Sequence, residues 1–320
     1  MRGPLKIGVV MLVKNDGHAF FFGPMNLDPQ AAGDYLPDSS VRLAFHTDLV
    51  PWSNYDDVRV SAVYGLDPED HGNAVADCFR HRNEIRRCTS LSELLEHCDA
   101  VMLINGGGDG SENPPIVEAI IDAGKPLNVD KYLAADLGEA IRLARRAREA
   151  GVWLTSASLL QYVVATRQFL NGLNGAPVER VTGFAGPKMS LLGGIHPLSH
   201  FLMAAGFPTL RHLHVEDDQV SVQFDNGPEA WLRPDKANDF MVRIEYEDGT
   251  EEIGCPLDDY RPATDAMLRE FIGGAIAGRR EPAPESRLLE PQILCAGLNM
   301  ARSTPGPVTR DDIVSAATAR

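Results

Sequence analysis

The sequence predicts an N-terminal doubly wound α/β domain on a parallel sheet, followed by an α+β domain whose sheet is largely antiparallel. Three observations predict this. Short β-branched runs in the first half lack polar alternation, as strands buried on both faces do. Helical patterns fill the intervals between those runs. Beyond about residue 158, strands alternate with period two around turns, which marks sheets with one wet face. A chain of 320 residues, 44% hydrophobic and 23% charged, can bury two cores, and the division is placed at 1–158 and 159–320.

Taken in order, "LKIGVVML" (5–12), "VRVSAVYG" (58–65), "AVMLIN" (100–105), "PLNVD" (126–130) and "VWLTSAS" (152–158) are the expected parallel strands. A helix begins at "SLSELLEHC", where Ser90 and Glu93 have the spacing of a capping box. "PPIVEAIIDAGKP" opens on proline, places Ile116, Val117, Ile120 and Ile121 on one stripe and stops at Gly124. "AADLGEAIRLARRAREAG" turns Leu137, Ile141, Ala144 and Ala147 inward and closes at Gly151. In the second half, Val220, Val222 and Phe224 share one strand face, as do Val242, Ile244 and Tyr246 before an Asp-Gly turn. Helices are expected at about 194–205, 264–278 and 288–303.

Composition narrows the function. A formal charge of −15 excludes a phosphate backbone as partner, because nucleic acid needs a concentrated basic surface. The basic run "RLARRAR" has helical spacing and reads as a solvated face. No run approaches the roughly 20 apolar residues of a membrane span, and the N-terminus carries no cleavage pattern, so a cytoplasmic protein without membrane contact is expected. The five cysteines fit neither a disulfide framework nor a Cys-x-x-Cys metal site and read as buried thiols. His196 with His200, and His212 with His214, have spacings open to zinc, but they sit on separate elements, and no metal is expected.

In a doubly wound sheet, ligands bind at the carboxyl ends of the strands where the strand order reverses, so the chemistry belongs in the loops there. After the first strand, "NDGHAFFFGPMN" can offer the amides of Asp16, Gly17 and His18 to a pyrophosphate at a helix start, although the G-x-G-x-x-G fingerprint is missing. After the second, Asp67 in "GLDPED" can accept from an adenosine ribose and repel a 2′-phosphate, which favours NAD over NADP. "INGGGDGSENPP" places Asn105, Gly106 and Gly107 where backbone must pass close to something. Asp130 and Lys131 end the next strand, and a lysine in such a crevice can hold a substrate hydroxyl and pass a proton.

"DAVMLI" followed by "PIVEAIIDAGKPLNVDKYLAADLGEAIRLARRAREAGVWLTSASLLQY" resembles the Rossmann-like half of the Gfo/Idh/MocA oxidoreductases, whose strand-end motif is Glu-Lys-Pro or Asp-Lys-Pro. "GGIHPLSHFLMAAG" (193–206) resembles that family's second-domain helix with its active-site histidine, and the C-terminal helices match as well. The opening resembles a branch with a histidine-containing phosphate loop. The resemblance implies a nicotinamide cofactor, NAD or NADP, and a dehydrogenase or reductase acting on a secondary alcohol or ketone of a sugar, inositol or related polyol. Lys131 and His196 match the catalytic lysine and histidine, while Gln161, Tyr162 and His200 are candidates to contact substrate. It also implies a homodimer or homotetramer. Tyr132 stands where the motif has proline, and Leu192 where the family's aspartate precedes the histidine by four residues. The altered phosphate loop and the missing aspartate motivate one alternative, a non-catalytic ligand sensor; a redox-neutral sugar-modifying enzyme with tightly bound NAD is another.

Overall fold

The computed structural model describes residues 3–12, 18, 28, 31, 55–65, 73–184, 191–217, 219–233, 240–255 and 257–319. They form two compact units, one drawn from 1–134, 142–156 and 264–283, the other from 135–141, 157–263 and 284–320.

The first unit is built on β1 (Leu5–Met11), β2 (Val58–Gly65), β3 (Arg86–Arg87), β4 (Ala100–Ile104), β5 (Leu127–Asp130) and β6 (Leu154–Ala157). Their order is β3-β2-β1-β4-β5-β6, with parallel register along the β3/β2, β2/β1, β1/β4 and β4/β5 pairs. Every residue of β4 and β5 is buried, which is why those runs show no polar alternation. The strand bounds match the sequence expectation to within two residues, the apolar runs overshooting only at their ends.

Its helices begin with α1 (Asn73–Asp77), α2 (Leu91–Glu96) and α3 (Asn113–Asp122); α4 (Leu137–Ala150) follows β5. Ser90 caps α2 by accepting from the Glu93 amide at 3.2 Å. The reciprocal half of the expected capping box is shifted by one residue. The Glu93 carboxylate accepts from the Thr89 amide at 2.9 Å and from its hydroxyl, instead of from the Ser90 amide. Helix α3 buries Val117, Ile120 and Ile121 and leaves Ile116 partly exposed; it ends before Gly124 at φ 66, a left-handed conformation that glycine adopts without strain. Helix α4 buries Leu137, Ala144 and Ala147, with Ile141 partly exposed and Ala140 and Leu143 completing the stripe.

The second unit carries α5 (Val164–Gly172), β7 (Val178–Phe184), α6 (Leu191–Ala204), β8 (Leu210–Glu216), β9 (Gln219–Phe224), β10 (Glu229–Arg233), β11 (Val242–Tyr246) and β12 (Gly249–Ile253). Helices α7 (Leu257–Ile276), α8 (Glu285–Leu288) and α9 (Glu290–Ala301), the short strand β13 (Val308–Thr309) and α10 (Arg310–Thr318) follow. The sheet order is β12-β11-β7-β10-β9-β8-β13, antiparallel at every pair except β7/β10. Val222, Phe224, Val242 and Ile244 are buried as the alternation requires. Helix α7 starts well before the expected residue 264 and runs through Pro262. Its later half lies in the first unit, where the Trp153 indole donates to the Phe271 carbonyl at 3.0 Å.

All five cysteines are buried thiols outside any disulfide, and burial pushes those of Cys88, Cys98 and Cys295 up to about 11. Among the described residues, no helix is long and apolar enough to cross a membrane.

Candidate active site

The strand order reverses direction between β1 and β4, which lie side by side with Met11 opposite Ile104. That switch point places the carboxyl ends of β1, β4 and β5 around one crevice of the first unit. Beyond β1, the Leu12 amide donates to the Ile104 carbonyl at 3.1 Å. Asp16, Gly17 and Asp67 lie outside the described residues.

Beyond β4 the chain makes a tight turn in which the Gly108 amide donates to the Asn105 carbonyl at 3.3 Å. A Cβ at Gly108 would lie 1.9 Å from Oδ1 of Asn105, so only glycine fits there. That Oδ1 is buried without a hydrogen-bond partner among the described residues, while Nδ2 of Asn105 donates to Asn113 Oδ1 at 2.9 Å. Asn113 in turn donates from Nδ2 to the Tyr132 carbonyl at 3.2 Å. The first residue of α3 therefore ties the glycine turn to the end of β5.

Asp130, the last residue of β5, is fully buried. Its Oδ2 lies 2.9 Å from Nδ1 of His18, and its Oδ1 accepts from the Lys131 amide at 2.8 Å. Burial works against the negative charge, but the His18 imidazole and the Lys131 ammonium outweigh it and hold the carboxyl below its usual range. Lys131 is only 4% exposed, and its Nζ donates to the Gly106 carbonyl at 2.7 Å. An ammonium has three donors, and this carbonyl takes one. Tyr132 has φ 44, and its phenol donates to the Gly108 carbonyl at 2.6 Å. Proline is confined to φ near −65°, so this backbone excludes the proline of the Asp-Lys-Pro pattern. The structure thus brings His18, Asn105, Gly106, Asp130 and Lys131 to one end of the first unit's sheet, with Gly107 in the turn.

In the second unit, His196 lies on α6 with Nδ1 2.7 Å from the Ser158 hydroxyl. Ser158 is held in place because its oxygen also accepts from the Leu160 amide at 3.2 Å, capping a single 3-10 turn that contains Gln161 and Tyr162. Gln161 is buried and donates to the Arg287 carbonyl at 2.9 Å, and the Arg287 guanidinium stacks 4.9 Å from the Tyr162 ring centre. His200 is fully buried with both nitrogens engaged: Nδ1 donates to the Phe240 carbonyl at 2.5 Å and Nε2 lies 2.7 Å from the Thr166 hydroxyl. Helix α6 includes residue 192, where the sequence has leucine. Among the described residues, no three His, Cys, Asp or Glu side chains cluster as a metal site.

His200 makes a pH prediction. Burial, only partly offset by the Phe240 carbonyl, lowers its pKa from 6.5 to about 4. The folded state holds this ring neutral while the unfolded chain takes up a proton below 6.5. Its contribution is therefore fully present at neutral pH and is lost as pH falls from about 6.5 to about 4, a loss of roughly 3 kcal/mol. Unfolding midpoints measured across that window should fall more steeply for the wild type than for His200→Gln.

Serine 158, Asn113, Gly108 and Tyr132 were not among the site residues expected from sequence. A run of three glycines signals Gly108, but the other three act through partners distant in the chain.

A six-stranded parallel sheet with a switch point and a second unit on a largely antiparallel sheet together make an α/β plus α+β fold. Solved structures share it over nearly their whole length, among them the inositol dehydrogenases and related Gfo/Idh/MocA-type oxidoreductases. Myo-inositol 2-dehydrogenase from Lactobacillus plantarum matches with a TM-score of 0.66 and 11% identity, over 96% of this chain and 99% of its own. GenD2 from gentamicin A biosynthesis, solved in complex with NAD, matches at 0.63 with 17% identity, over 97% and 98% of the two chains. An oxidoreductase from Agrobacterium radiobacter, solved with NAD+, L-tartaric acid and magnesium, matches at 0.63 with 13% identity, over 96% and 98%. No protein-family model and no curated protein matches the sequence.

Proposed function

We propose that the protein is a nicotinamide-dependent oxidoreductase that interconverts a secondary alcohol and ketone on a sugar, inositol or related polyol, with NAD favoured over NADP. The observation that carries this reading is Lys131: a nearly buried ammonium at the switch-point end of a parallel sheet, aimed by the Gly106 carbonyl. The residues there suit a dinucleotide. Gly106 and Gly107 present backbone without side chains at the end of β4, and His18 and Lys131 supply positive character beside Asp130, a buried carboxylate that is already engaged. The bound cofactor would supply hydride acceptance or donation at C4 of its nicotinamide.

Lys131 holds the substrate oxygen through an N–H not used by Gly106 and balances the charge that develops there. His196 exchanges the hydroxyl proton. In the tautomer that donates Nδ1–H to the Ser158 oxygen, Nε2 is the nitrogen able to accept it. Gln161 and Tyr162, adjacent to Ser158, contact the substrate's other hydroxyls, and buried His200 supports α6 from within. The missing aspartate at 192 leaves the acid–base work to Lys131 and His196.

The test is a panel of inositols, sugars and their oxidised forms, with NAD and with NADP, followed by the absorbance of reduced nicotinamide. Turnover with a polyol is expected. Product without net cofactor reduction supports the redox-neutral alternative, and ligand binding without turnover supports a sensor.

A further inference from the structure

We infer that Tyr132 is a positioning residue: its phenol pins the glycine turn after β4 so that the Gly106 carbonyl is held against the Lys131 ammonium. The inference rests on the reading above in taking Lys131 as the working amine.

Residue 132 is fixed at three points. Its hydroxyl donates to the Gly108 carbonyl at 2.6 Å, and its own carbonyl accepts from Asn113 at 3.2 Å. Its ring centre lies 5.1 Å from Nζ of Lys131, within cation–π range. The residue is 3% exposed and sits at φ 44, a conformation that a bulky side chain occupies only when its surroundings over-determine it. The turn it pins is also tied through Asn105, whose Nδ2 donates to Asn113 Oδ1 at 2.9 Å. Gly106 and Gly107 carry no side chain, and the Gly108 amide reaches the Asn105 carbonyl at 3.3 Å, at the long end of hydrogen-bond distances.

A lysine at the end of four rotatable bonds needs such an anchor to present its remaining donors in one direction. In the Asp-Lys-Pro pattern a rigid ring follows the lysine; in this chain the backbone at 132 is left-handed, and an aromatic ring with a hydroxyl takes over the restraint across space. Burial, reinforced by the carboxylates of Asp130 and Asp109, pushes the phenol up to about 12, so it remains a donor at any working pH.

The experiment compares wild type with Tyr132→Phe, which keeps the ring and removes only the donor. Trinitrobenzenesulfonate labels amines, and peptide mapping by mass spectrometry gives the labelling rate at Lys131 itself, without reference to activity. Loss of one hydrogen bond to the turn should raise that rate about fivefold, with the unfolding midpoint little changed and labelling at Lys125 unaltered as an internal control. Tyr132→Leu, which fills volume without a donor, should behave alike and serves if the phenylalanine variant does not fold. Unchanged labelling of Lys131 in a folded variant overturns the inference. NADH titration of the same proteins decides the oxidoreductase reading separately: its failure in wild type removes that reading and leaves the labelling result to decide the role of Tyr132.

Discussion

Lys131→Met is expected to lower kcat by about a hundredfold to ten-thousandfold, the range of a positioned acid–base group, while changing NADH affinity by less than about tenfold. Methionine keeps the volume of the stem in a position only 4% exposed, so no large cavity opens, but the Gly106 carbonyl loses its donor. Part of the effect therefore reaches the turn, and the unfolding midpoint should drop by a few degrees. Arginine will not rescue, because a planar fork cannot replace a compact ammonium in a site sized for one. Steady-state kinetics with the best substrate of the panel, beside an NADH titration, checks this. A folded Lys131→Met enzyme with undiminished kcat removes Lys131 from the chemistry.

The second large effect is at His196. His196→Asn should lower kcat by about a hundredfold or more, and Ser158→Ala, which removes the partner of Nδ1 at 2.7 Å, by about tenfold. The two are expected to be non-additive. With the imidazole gone, the serine has no ring left to orient, so the kcat of the double variant should match that of His196→Asn alone. Ser158 also caps the turn that carries Gln161 and Tyr162 through the Leu160 amide, so its loss should raise KM as well as lower kcat. Additive losses in this cycle would show that Ser158 acts on the turn and not on the histidine.

Much of the fold was legible because burial leaves a direct mark on composition. Strands β1, β4 and β5 are covered on both faces, and "IGVVM", "AVMLI" and "LNVD" can be little else. The elements that escaped are those whose burial is mixed. Strand β7, "VERVTGF", shows apolar residues without a regular period, and it buries Val181, Thr182 and Gly183 consecutively. Strand β10, "EAWLR", is short and carries charge at both ends. Helix α10 carries a readable signal in Thr309 and Asp312, which form a capping box in which each side chain satisfies the other's amide. The early start of α7 is hidden by Pro262, which reads as a helix boundary.

At the site, sequence located the strand-end positions and left their partners unseen. Asp130 and Lys131 follow an apolar run and could be placed at its end. The contact of Asp130 with His18 spans 112 positions, that of Ser158 with His196 spans 38, and that of Thr166 with His200 spans 34. Periodicity carries no information at those separations. The left-handed backbone at Tyr132 is likewise invisible, because nothing in "VDKYLA" forecasts a positive φ at an aromatic residue.

All of this chemistry presupposes that the switch-point end of the first sheet receives a nicotinamide dinucleotide without help from the G-x-G-x-x-G fingerprint. Titrating NADH into the wild-type protein and following the fluorescence of the reduced ring asks that question alone. Saturable binding of one equivalent per chain, displaced by NAD, is the expected result; a flat titration into the millimolar range, with the protein folded throughout, would mean that this crevice serves some other ligand.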